Sequence, residues 1–161
     1  MFPRDVFAEL GELGLMGVCV PEEEGGAGAD FLSYILVLEE LSRADAGVGV
    51  TVAVHTSAGT LPIINHGSEE QIARIVPALA SGEELAAFAL TESGSGSDAS
   101  AMRTRATDDK ITGAKQWITN GSYASTFLVF AREDERVSAF VVRAGADGLS
   151  GSFAKTMKVD A

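Results

Sequence analysis

The hydrophobic pattern of this chain changes its period once, and that change restricts the fold more than any other feature. Up to residue 80, apolar residues recur at three- and four-residue spacing, which is typical of amphipathic helices. After Ser81 and Gly82, short apolar runs and alternating residues follow, which is typical of strands. Helices followed by antiparallel strands predict an α+β fold and argue against alternating βαβ units with a Rossmann nucleotide site.

Four helices are predicted in the first half. The apolar stripe of the first comprises Phe7, Leu10, Leu13 and Leu15. Asp30 is predicted to cap the second, whose apolar positions are Tyr34, Ile35, Leu38 and Leu41. A third is expected over residues 48–65 with a kink at Pro62, and Ser68 with Gln71 forms a capping box that opens a fourth over residues 69–80.

The second half predicts strands joined by turns. They are expected over residues 85–90, 102–107, 111–118, 125–131 and 138–143. Residues 108–110 supply a turn between the second and third of these strands. Residues 155–161 show no helix and no closing signal.

Composition excludes several functional classes. The 161 residues include 12 Lys and Arg against 23 Asp and Glu, a formal net charge of −11. Such a charge argues against nucleic-acid binding and against binding to an anionic membrane surface. The apolar share of 46% is enough to bury a core.

The cysteine and histidine residues argue against a disulfide, a cysteine nucleophile and a metal site. Cys19 is the single cysteine, so no intrachain disulfide is predicted, and a cytoplasmic location is expected. Cys19 lies in an apolar run and is predicted to be a buried residue, not a nucleophile. His55 and His66 have no Cys or carboxylate at ligand spacing, so no metal site is predicted.

No targeting or spanning segment is predicted. Arg4, Asp5 and Glu9 interrupt any apolar signal region near the start. The apolar run at residues 48–64 contains His55 and Pro62 and is judged too short and too polar to enter a membrane.

Two motifs carry the chemistry. The segment ALTESGSGSD at residues 89–98 leaves an apolar strand for a turn of alternating Gly and Ser, which offers N–H groups and hydroxyls to phosphate oxygens. The segment WITNG at residues 117–121 places an aromatic ring and a hydroxyl two residues apart, on one face if the strand continues. Together they suit a cofactor that is flat and phosphorylated, such as FAD.

At these residues the chain resembles the acyl-CoA dehydrogenase family. The segments ALTESGSGSDASA at residues 89–101 and GAKQWITNG at residues 113–121 fit two family patterns. A third fit comprises LMGVCVPEE at residues 15–23 and GGAG at residues 25–28. The resemblance covers nearly the whole chain, and ordered blocks are far more specific than one Gly-rich loop.

The resemblance implies a particular domain organisation. Residues 1–84 would form an N-terminal helical domain that lacks the family's first helix. Residues 85–161 would form part of an antiparallel β-barrel-like middle domain. The family's C-terminal four-helix bundle would be absent, so the chain is expected to be a fragment.

The resemblance also implies the cofactor-binding residues. They are Phe88, Ala89, Leu90, Thr91, Gly96, Ser97, Trp117, Ile118 and Thr119. Thr91 would bind the pyrimidine edge of the flavin, and Gly96 with Ser97 would lie by the diphosphate. Ser97 would also lie near the bound CoA ester. Trp117 would pack beside the ring, and Thr119 would direct its hydroxyl towards flavin N5.

The remaining charged residues of these motifs are predicted to be structural. Glu92 and Asp98 are assigned to turn hydrogen bonds, because an unpaired carboxylate would repel a diphosphate. Arg103 and Arg105 are assigned to solvated strand positions. In most family members the catalytic base is a glutamate of the C-terminal bundle, and no position here matches it.

The function implied is that of an FAD-dependent acyl-CoA dehydrogenase, with α,β-dehydrogenation of an acyl-CoA thioester and hydride transfer to flavin N5. An acyl-CoA oxidase, a flavin hydroxylase relative and a non-catalytic truncated module remain as alternatives. The implied partners are an acyl-CoA substrate and an electron-transfer flavoprotein, with a homotetramer for the full-length form. The chain alone is expected to be inactive.

Overall fold

The computed structural model describes residues 2–108 and 110–151 together with the backbone of 156–160. The chain divides into two compact units, Met1–Ala86 and Ala87–Ala161. The first unit is helical and the second is built on a sheet, so the predicted α+β class is confirmed. Of the predicted turn at residues 108–110, Asp109 lies outside the described residues.

The first unit contains helices near the predicted positions. They are α1 (Arg4–Glu12), α2 (Phe31–Ala44), α3 (Ala46–Ala53), α4 (Leu61–His66) and α5 (Glu69–Ala80). A short 3-10 turn at Glu22–Glu24 lies in the loop before α2. A π-helical segment, Val54–Thr60, runs from the end of α3 to the start of α4.

The predicted helix caps are confirmed. The backbone N–H of Ser33 donates to the Asp30 carboxylate at 2.7 Å. At the start of α5, the N–H of Gln71 donates to Ser68 Oγ at 3.2 Å, and the N–H of Ser68 donates to Gln71 Oε1 at 2.9 Å. These bonds satisfy N–H groups that have no partner inside a helix, and they fix where α2 and α5 begin.

Two residues predicted to lie on the buried, apolar faces of helices are exposed, so the prediction is wrong for them. Leu13 and Ile35 are 71% and 43% exposed, whereas Phe7, Leu10 and Tyr34 are buried as predicted. Leu13 lies beyond the end of α1, so the helical period no longer places it on the buried face. Ile35 follows the fully buried Tyr34, and a step of one residue rotates a side chain by about 100° around the helix.

The long helix that contains the π-helical segment differs from the regular helix predicted over residues 48–65. His55, Thr56 and Thr60 in its middle are 0% exposed. Thr56 Oγ1 donates to the carbonyl of Met16 at 3.1 Å, and Thr60 Oγ1 donates to the carbonyl of His55 at 2.8 Å. The irregular segment ends at Thr60, and Pro62, where the kink was predicted, lies in the first turn of the α4 helix that follows.

His55 joins this segment to two other parts of the first unit. Its Nδ1 accepts the N–H of Ala86 at 3.0 Å, so its Nε2 carries the proton and lies 3.0 Å from the carbonyl of Leu79. A second proton would remove the acceptor that Ala86 uses. Burial lowers the pKa of His55 to about 4, and the hydrogen bond to Leu79 opposes that change.

The length of this helix differs from the prediction that the apolar run is too short to cross a membrane. From Ala46 to His66 it covers 21 residues, and by length and composition alone it could cross a membrane. The judgement that this run is too short is therefore wrong. Of its apolar window, 44% is buried inside the protein, and a core helix passes the same test of length and composition.

The second unit is built on a sheet that has seven strands among the described residues. They are β1 (Ala86–Ala89), β2 (Arg105–Thr107), β3 (Lys110–Gln116), β4 (Thr126–Glu133), β5 (Arg136–Arg143), β6 (Leu149–Gly151) and β7 (Thr156–Asp160). The strand order is β1-β4-β2-β3-β7-β6, and β5 pairs with β4. The buried core of this sheet includes Ala87, Ala89, Phe127 and Val129.

The pairing of β2 with β4 in the sheet is not antiparallel. β2 and β4 run parallel, with Arg105 opposite Arg132. β3 reverses the chain beside β2, and β4 reverses it again on the other side of β2, so β4 runs in the direction of β2. The fully antiparallel prediction is therefore wrong at this pairing, and the sheet is not closed into a barrel over the described residues.

Several strand boundaries also differ from the prediction. β3 ends at Gln116, so residues 117–118 are not part of it. Residues 102–104 precede β2 and follow a 3-10 turn at Ala99–Ala101. β6 and β7 were not predicted, and β7 lies within residues 155–161, where no helix was expected; Lys155 and Ala161 lie outside the described residues. β7 pairs with β3 from Thr112↔Asp160 to Gln116↔Thr156.

We expect the first unit to lose stability as the pH falls from 6.5, the ordinary pKa of histidine, to about 4. In this window the unfolded chain takes up a proton at His55 that the folded chain does not, so the free energy of unfolding falls with pH, by about 3 kcal/mol in total. Denaturant titrations between pH 7 and pH 4 measure this slope.

His55→Gln should flatten that slope, because an amide does not titrate here. His66→Gln is the matched control, since His66 is the other histidine and is exposed. Equal slopes in the His55 variant and the unaltered chain would contradict the assignment.

Candidate cofactor site

The Gly/Ser motif forms a closed turn directly after β1. The N–H of Glu92 donates to the carbonyl of Ser95 at 2.9 Å, and the N–H of Ser95 donates back to Glu92 at 3.2 Å. Ser95 is buried, and its Oγ donates to the carbonyl of Asp98 at 2.8 Å. The turn is thus held by its own backbone, while Gly96, Ser97 and Asp98 after it are exposed.

The glycines of this segment are not required by packing inside the chain. A Cβ built on Gly94 or on Gly96 meets no atom within 4 Å, and neither residue has a positive φ. Glycine is therefore needed at these positions only if something outside the described chain approaches the backbone. A Gly-rich turn with open space above it suits a phosphate-bearing ligand.

A buried ion pair lies at the base of the turn. Lys115 Nζ donates to Glu92 Oε1 at 2.8 Å and to the carbonyl of Leu90 at 3.0 Å. The side chains of Lys115 and Glu92 are 0% and 7% exposed. The sulfur of Met102 lies 3.9 Å from the same Nζ.

The Glu92 carboxylate accepts further hydrogen bonds from residues 103 and 104. The N–H of Arg103 donates to Oε2 at 2.7 Å, and Thr104 donates to Oε1 through its N–H at 3.0 Å and its Oγ1 at 2.6 Å. The carboxylate therefore joins three segments, at residues 90–92, 102–104 and 115. The prediction that Glu92 is structural is confirmed.

The network determines the protonation of both groups. Burial alone would raise the pKa of Glu92, but the hydrogen bonds from Lys115, Thr104 and Arg103 outweigh it and lower that pKa to about 2. Burial lowers the pKa of Lys115 below its usual value, and the neighbouring carboxylate opposes that change. At neutral pH the carboxylate is ionised, and the pair is held by charge-assisted hydrogen bonds.

The structure brings the two motifs side by side. The N–H of Gln116 donates to the carbonyl of Thr91 at 2.7 Å, next to the bond from Lys115 to Leu90. The end of β3 is therefore fixed to the start of the Gly/Ser turn. Trp117 follows this junction by one residue.

Trp117 has an unusual backbone and an exposed ring. Its φ is 60°, a region that bulky residues rarely adopt, and its side chain is 63% exposed. Such strain costs roughly 1–3 kcal/mol and is concentrated at functional sites. An exposed indole offers a ring face on which a flat ligand can stack.

The other residues of this motif lie in a turn. The N–H groups of Tyr123 and Ala124 both donate to the carbonyl of Asn120 at 2.8 Å, and Asn120 has a φ of 66°. Ile118 packs against the hydrophobic core of the sheet, and Thr119 is half-buried. Because β3 ends at Gln116, the argument that Trp117 and Thr119 share one face of a strand is wrong.

The predicted residues of the first motif differ in what they expose. Ala89 is 0% exposed, so only its backbone is available to a ligand. Leu90 and Thr91 are half-buried. Phe88 is half-buried against Phe130, with ring centroids 4.9 Å apart.

Lys115 was missed by the sequence reasoning, although a signal was present. In β3, Ile111 and Lys115 are four residues apart and so lie on the same face of the strand. Both are buried. A lysine at an inward position needs a buried acceptor, and Glu92 is the carboxylate that the preceding motif supplies.

A cavity elsewhere in the second unit is separate from these residues. It has a volume of about 610 Å³, and its lining includes Ala106, Ile111, Phe140 and Val142. None of the residues predicted to bind the cofactor lines it. The candidate site is thus the surface formed by the two motifs.

Comparison with known families identifies this arrangement. The pattern described as the N-terminal domain of acyl-CoA dehydrogenase matches residues 1–83. The pattern described as the middle domain matches residues 87–158. The chain belongs to the acyl-CoA dehydrogenase family.

Individual members of the acyl-CoA dehydrogenase family are similar over nearly the whole chain. An acyl-CoA dehydrogenase of Bacillus subtilis is 46% identical over 158 residues, which cover 92% of this chain and 42% of the relative. The structure of an acyl-CoA dehydrogenase complexed with FAD, from Bacillus anthracis, is 42% identical with a TM-score of 0.91. It covers 98% of this chain, which spans 30% of that structure.

A further solved structure is described as the electron transferring flavoprotein of Acidaminococcus fermentans. It is 37% identical with a TM-score of 0.94, and the match covers 99% of this chain and 47% of that one. The chain thus spans less than half the length of the acyl-CoA dehydrogenase relatives and structures that it matches here.

We expect Gly96→Val to change the free energy of unfolding by less than about 0.5 kcal/mol, because its new side chain enters open space. Gly113→Val is the matched comparison. A Cβ at Gly113 would lie 2.7 Å from Thr104 Cα, so we expect a loss of about 2 kcal/mol. Denaturant titration of both variants checks the difference, and equal losses would show that Gly96 is needed for packing.

Proposed function

We propose that this chain forms the flavin-holding part of an FAD-dependent acyl-CoA dehydrogenase. The observation that carries the proposal is the junction of the two motifs, where Gln116 N–H binds the carbonyl of Thr91 at 2.7 Å. Family membership over both domains and the FAD-bound relative support the cofactor. The reaction proposed is α,β-dehydrogenation of an acyl-CoA thioester.

The residues of the site fit FAD. The open space at Gly94 and Gly96 allows a diphosphate to approach the backbone. The exposed indole of Trp117 offers a face to the flavin ring. When bound, FAD supplies the acceptor for the hydride at its N5.

The exposure of each side chain decides which part of FAD we assign it to. We assign Gly96 and Ser97 to the diphosphate, with Ser97 also near the CoA ester, because both are exposed. Thr91 and Thr119 are half-buried and are assigned to hydrogen bonds at the polar edge and at N5 of the ring. Hydrogen bonds that strengthen as charge develops accelerate a reaction.

The other predicted residues act mainly through packing and backbone. Ala89 is fully buried and Ile118 packs on the sheet core, so they define the floor of the site. Phe88 and Leu90 flank Ala89 and are half-buried. We assign no residue of this chain as the catalytic base.

The proposal extends to partners and location. The substrate is an acyl-CoA thioester, and the electron acceptor is an electron-transfer flavoprotein, as the resemblance to the family implies. A homotetramer is proposed for the longer proteins of the family. We also propose a cytoplasmic protein, in line with its single cysteine, that does not insert into membranes, with Ala46–His66 as a core helix.

The chain should bind FAD, and its single tryptophan reports the binding. We expect FAD to quench the fluorescence of Trp117, because the ring of the flavin lies against the indole. Gly96→Val should weaken FAD at least about tenfold, since a bulky side chain occupies the space of the diphosphate. Fluorescence titration gives both dissociation constants.

Gly151→Val is the matched control for this titration. Gly151 lies in β6 and also has open space around it, but it belongs to neither motif. Equal FAD affinity in all three proteins would contradict the role of the turn. Absence of quenching in the unaltered chain would refute the cofactor assignment.

Thr119→Val tests the reaction. In a complete FAD-loaded enzyme that contains this chain together with a catalytic base, we expect this variant to slow flavin reduction by an acyl-CoA about tenfold, the size of one lost charge-assisted hydrogen bond. The dissociation constant of the thioester should change less. Anaerobic stopped-flow measurement of flavin absorbance separates the two quantities, and Thr112→Val, an exposed threonine of β3, is the control.

Bleaching of the flavin by acyl-CoA without oxygen would support the dehydrogenase. An unchanged reduction rate in Thr119→Val would remove this residue from the reaction. No bleaching in a complete enzyme that contains this chain and binds FAD would overturn the dehydrogenase assignment while leaving the cofactor assignment intact.

A further inference from the structure

We propose that Lys115 and Glu92 are positioning residues for the flavin, which hold the Gly/Ser turn and the Trp117 loop in one fixed arrangement. The inference rests on the proposed function, because it assumes that both segments contact the same FAD. It assigns a role to an ion pair that lies beneath the site and presents no exposed surface to a ligand.

The geometry of Lys115 links both motifs through one atom. Its Nζ binds the carbonyl of Leu90 at 3.0 Å and Glu92 Oε1 at 2.8 Å, one residue before and one residue after Thr91. Its own backbone lies two residues before Trp117. A shift of the ammonium group therefore moves the turn relative to the loop.

Glu92 fixes the pair to a third segment. Arg103 and Thr104 together give its carboxylate three hydrogen bonds, between 2.6 and 3.0 Å. Thr104 is itself buried, and its carbonyl accepts the N–H of Arg132 from β4 at 2.8 Å. The turn is thus connected to the sheet through directional bonds and not only through apolar contact.

Stability alone does not require such a pair. Replacing a buried ion pair by apolar side chains of similar volume is often neutral or stabilising, whereas removing one partner is costly. Apolar side chains make no directional bonds, so they cannot fix the distance between the Leu90 carbonyl and the Glu92 carboxylate as Lys115 does. Precise support beneath a ligand-contacting loop is the use that a directional network serves best.

Trp117 provides a reporter that does not depend on flavin. It is the single tryptophan and follows Lys115 by two residues, so its time-resolved fluorescence anisotropy measures the local motion of the loop. In Lys115→Met we expect a larger fast component of depolarisation than in the unaltered chain. We also expect the FAD dissociation constant to rise at least about tenfold, the effect of one lost charge-assisted hydrogen bond.

Lys110→Met is the matched control. Lys110 begins the same strand, but it is exposed. We expect its anisotropy and its FAD affinity to equal those of the unaltered chain.

The double variant Glu92→Gln with Lys115→Met separates positioning from stability. It removes the buried carboxylate that the single variant leaves without its cation, so the thermal midpoint should recover in large part. The bond from Nζ to the carbonyl of Leu90 stays absent, so the FAD affinity should remain low. If Lys115→Met does not fold, the double variant alone is compared with the unaltered chain.

The outcomes decide between the two roles. Recovered stability with weak FAD binding and a mobile Trp117 supports positioning. Recovery of stability and affinity in parallel, or unchanged anisotropy and affinity in a folded Lys115 variant, overturns it. If the unaltered chain shows no FAD quenching, the proposed function fails, and the anisotropy comparison still tests whether Lys115 holds the loop.

Discussion

The second unit depends on one constraint: a lysine and a glutamate buried together where three segments meet. Lys115 is fully buried, and a buried ammonium group is tolerated only if its charge is paired and its protons are bonded. Glu92 and the carbonyl of Leu90 meet that requirement, and Arg103 and Thr104 complete the carboxylate. The backbone of the Gly/Ser turn closes the turn itself, and this network connects the turn to the neighbouring segments.

The first unit uses neutral polar groups in a comparable way. The π-helical segment places His55, Thr56 and Thr60 in the core, where each side chain has a backbone partner. His55 joins Leu79 of α5 to Ala86 at the end of the unit. In both units, therefore, polar side chains and not apolar ones fix how neighbouring segments meet.

Much of the fold could be predicted because it follows from local rules. The caps at Asp30 and Ser68 depend on hydrogen bonds over three residues, and the sequence shows both partners. The change from helix to strand follows from period alone. The parallel pairing of β2 with β4 could not be predicted, since strand order depends on contacts between residues that are distant in sequence.

The candidate site was predictable to a similar extent. The composition of the two motifs pointed to a flat, phosphorylated ligand, but alternation suggested that β3 continued to residue 118. The strand ends at Gln116 because its N–H binds the carbonyl of Thr91 outside the ladder, and Trp117 then adopts a positive φ. Neither Lys115 nor this junction follows from a local rule, since both require knowing that residues 90–92 and 115–116 are neighbours.

The contacts between residues 90–92 and 115–116 have a consequence for the order in which parts of the protein fold during synthesis. On a ribosome, Glu92 emerges well before Lys115, so its carboxylate is solvated and the turn has no support until β3 follows. β7 pairs with β3 later still, with Asp160 opposite Thr112. Contacts between distant residues form slowly. The helices of the first unit can therefore form during synthesis before the candidate site, which needs Lys115 and β3.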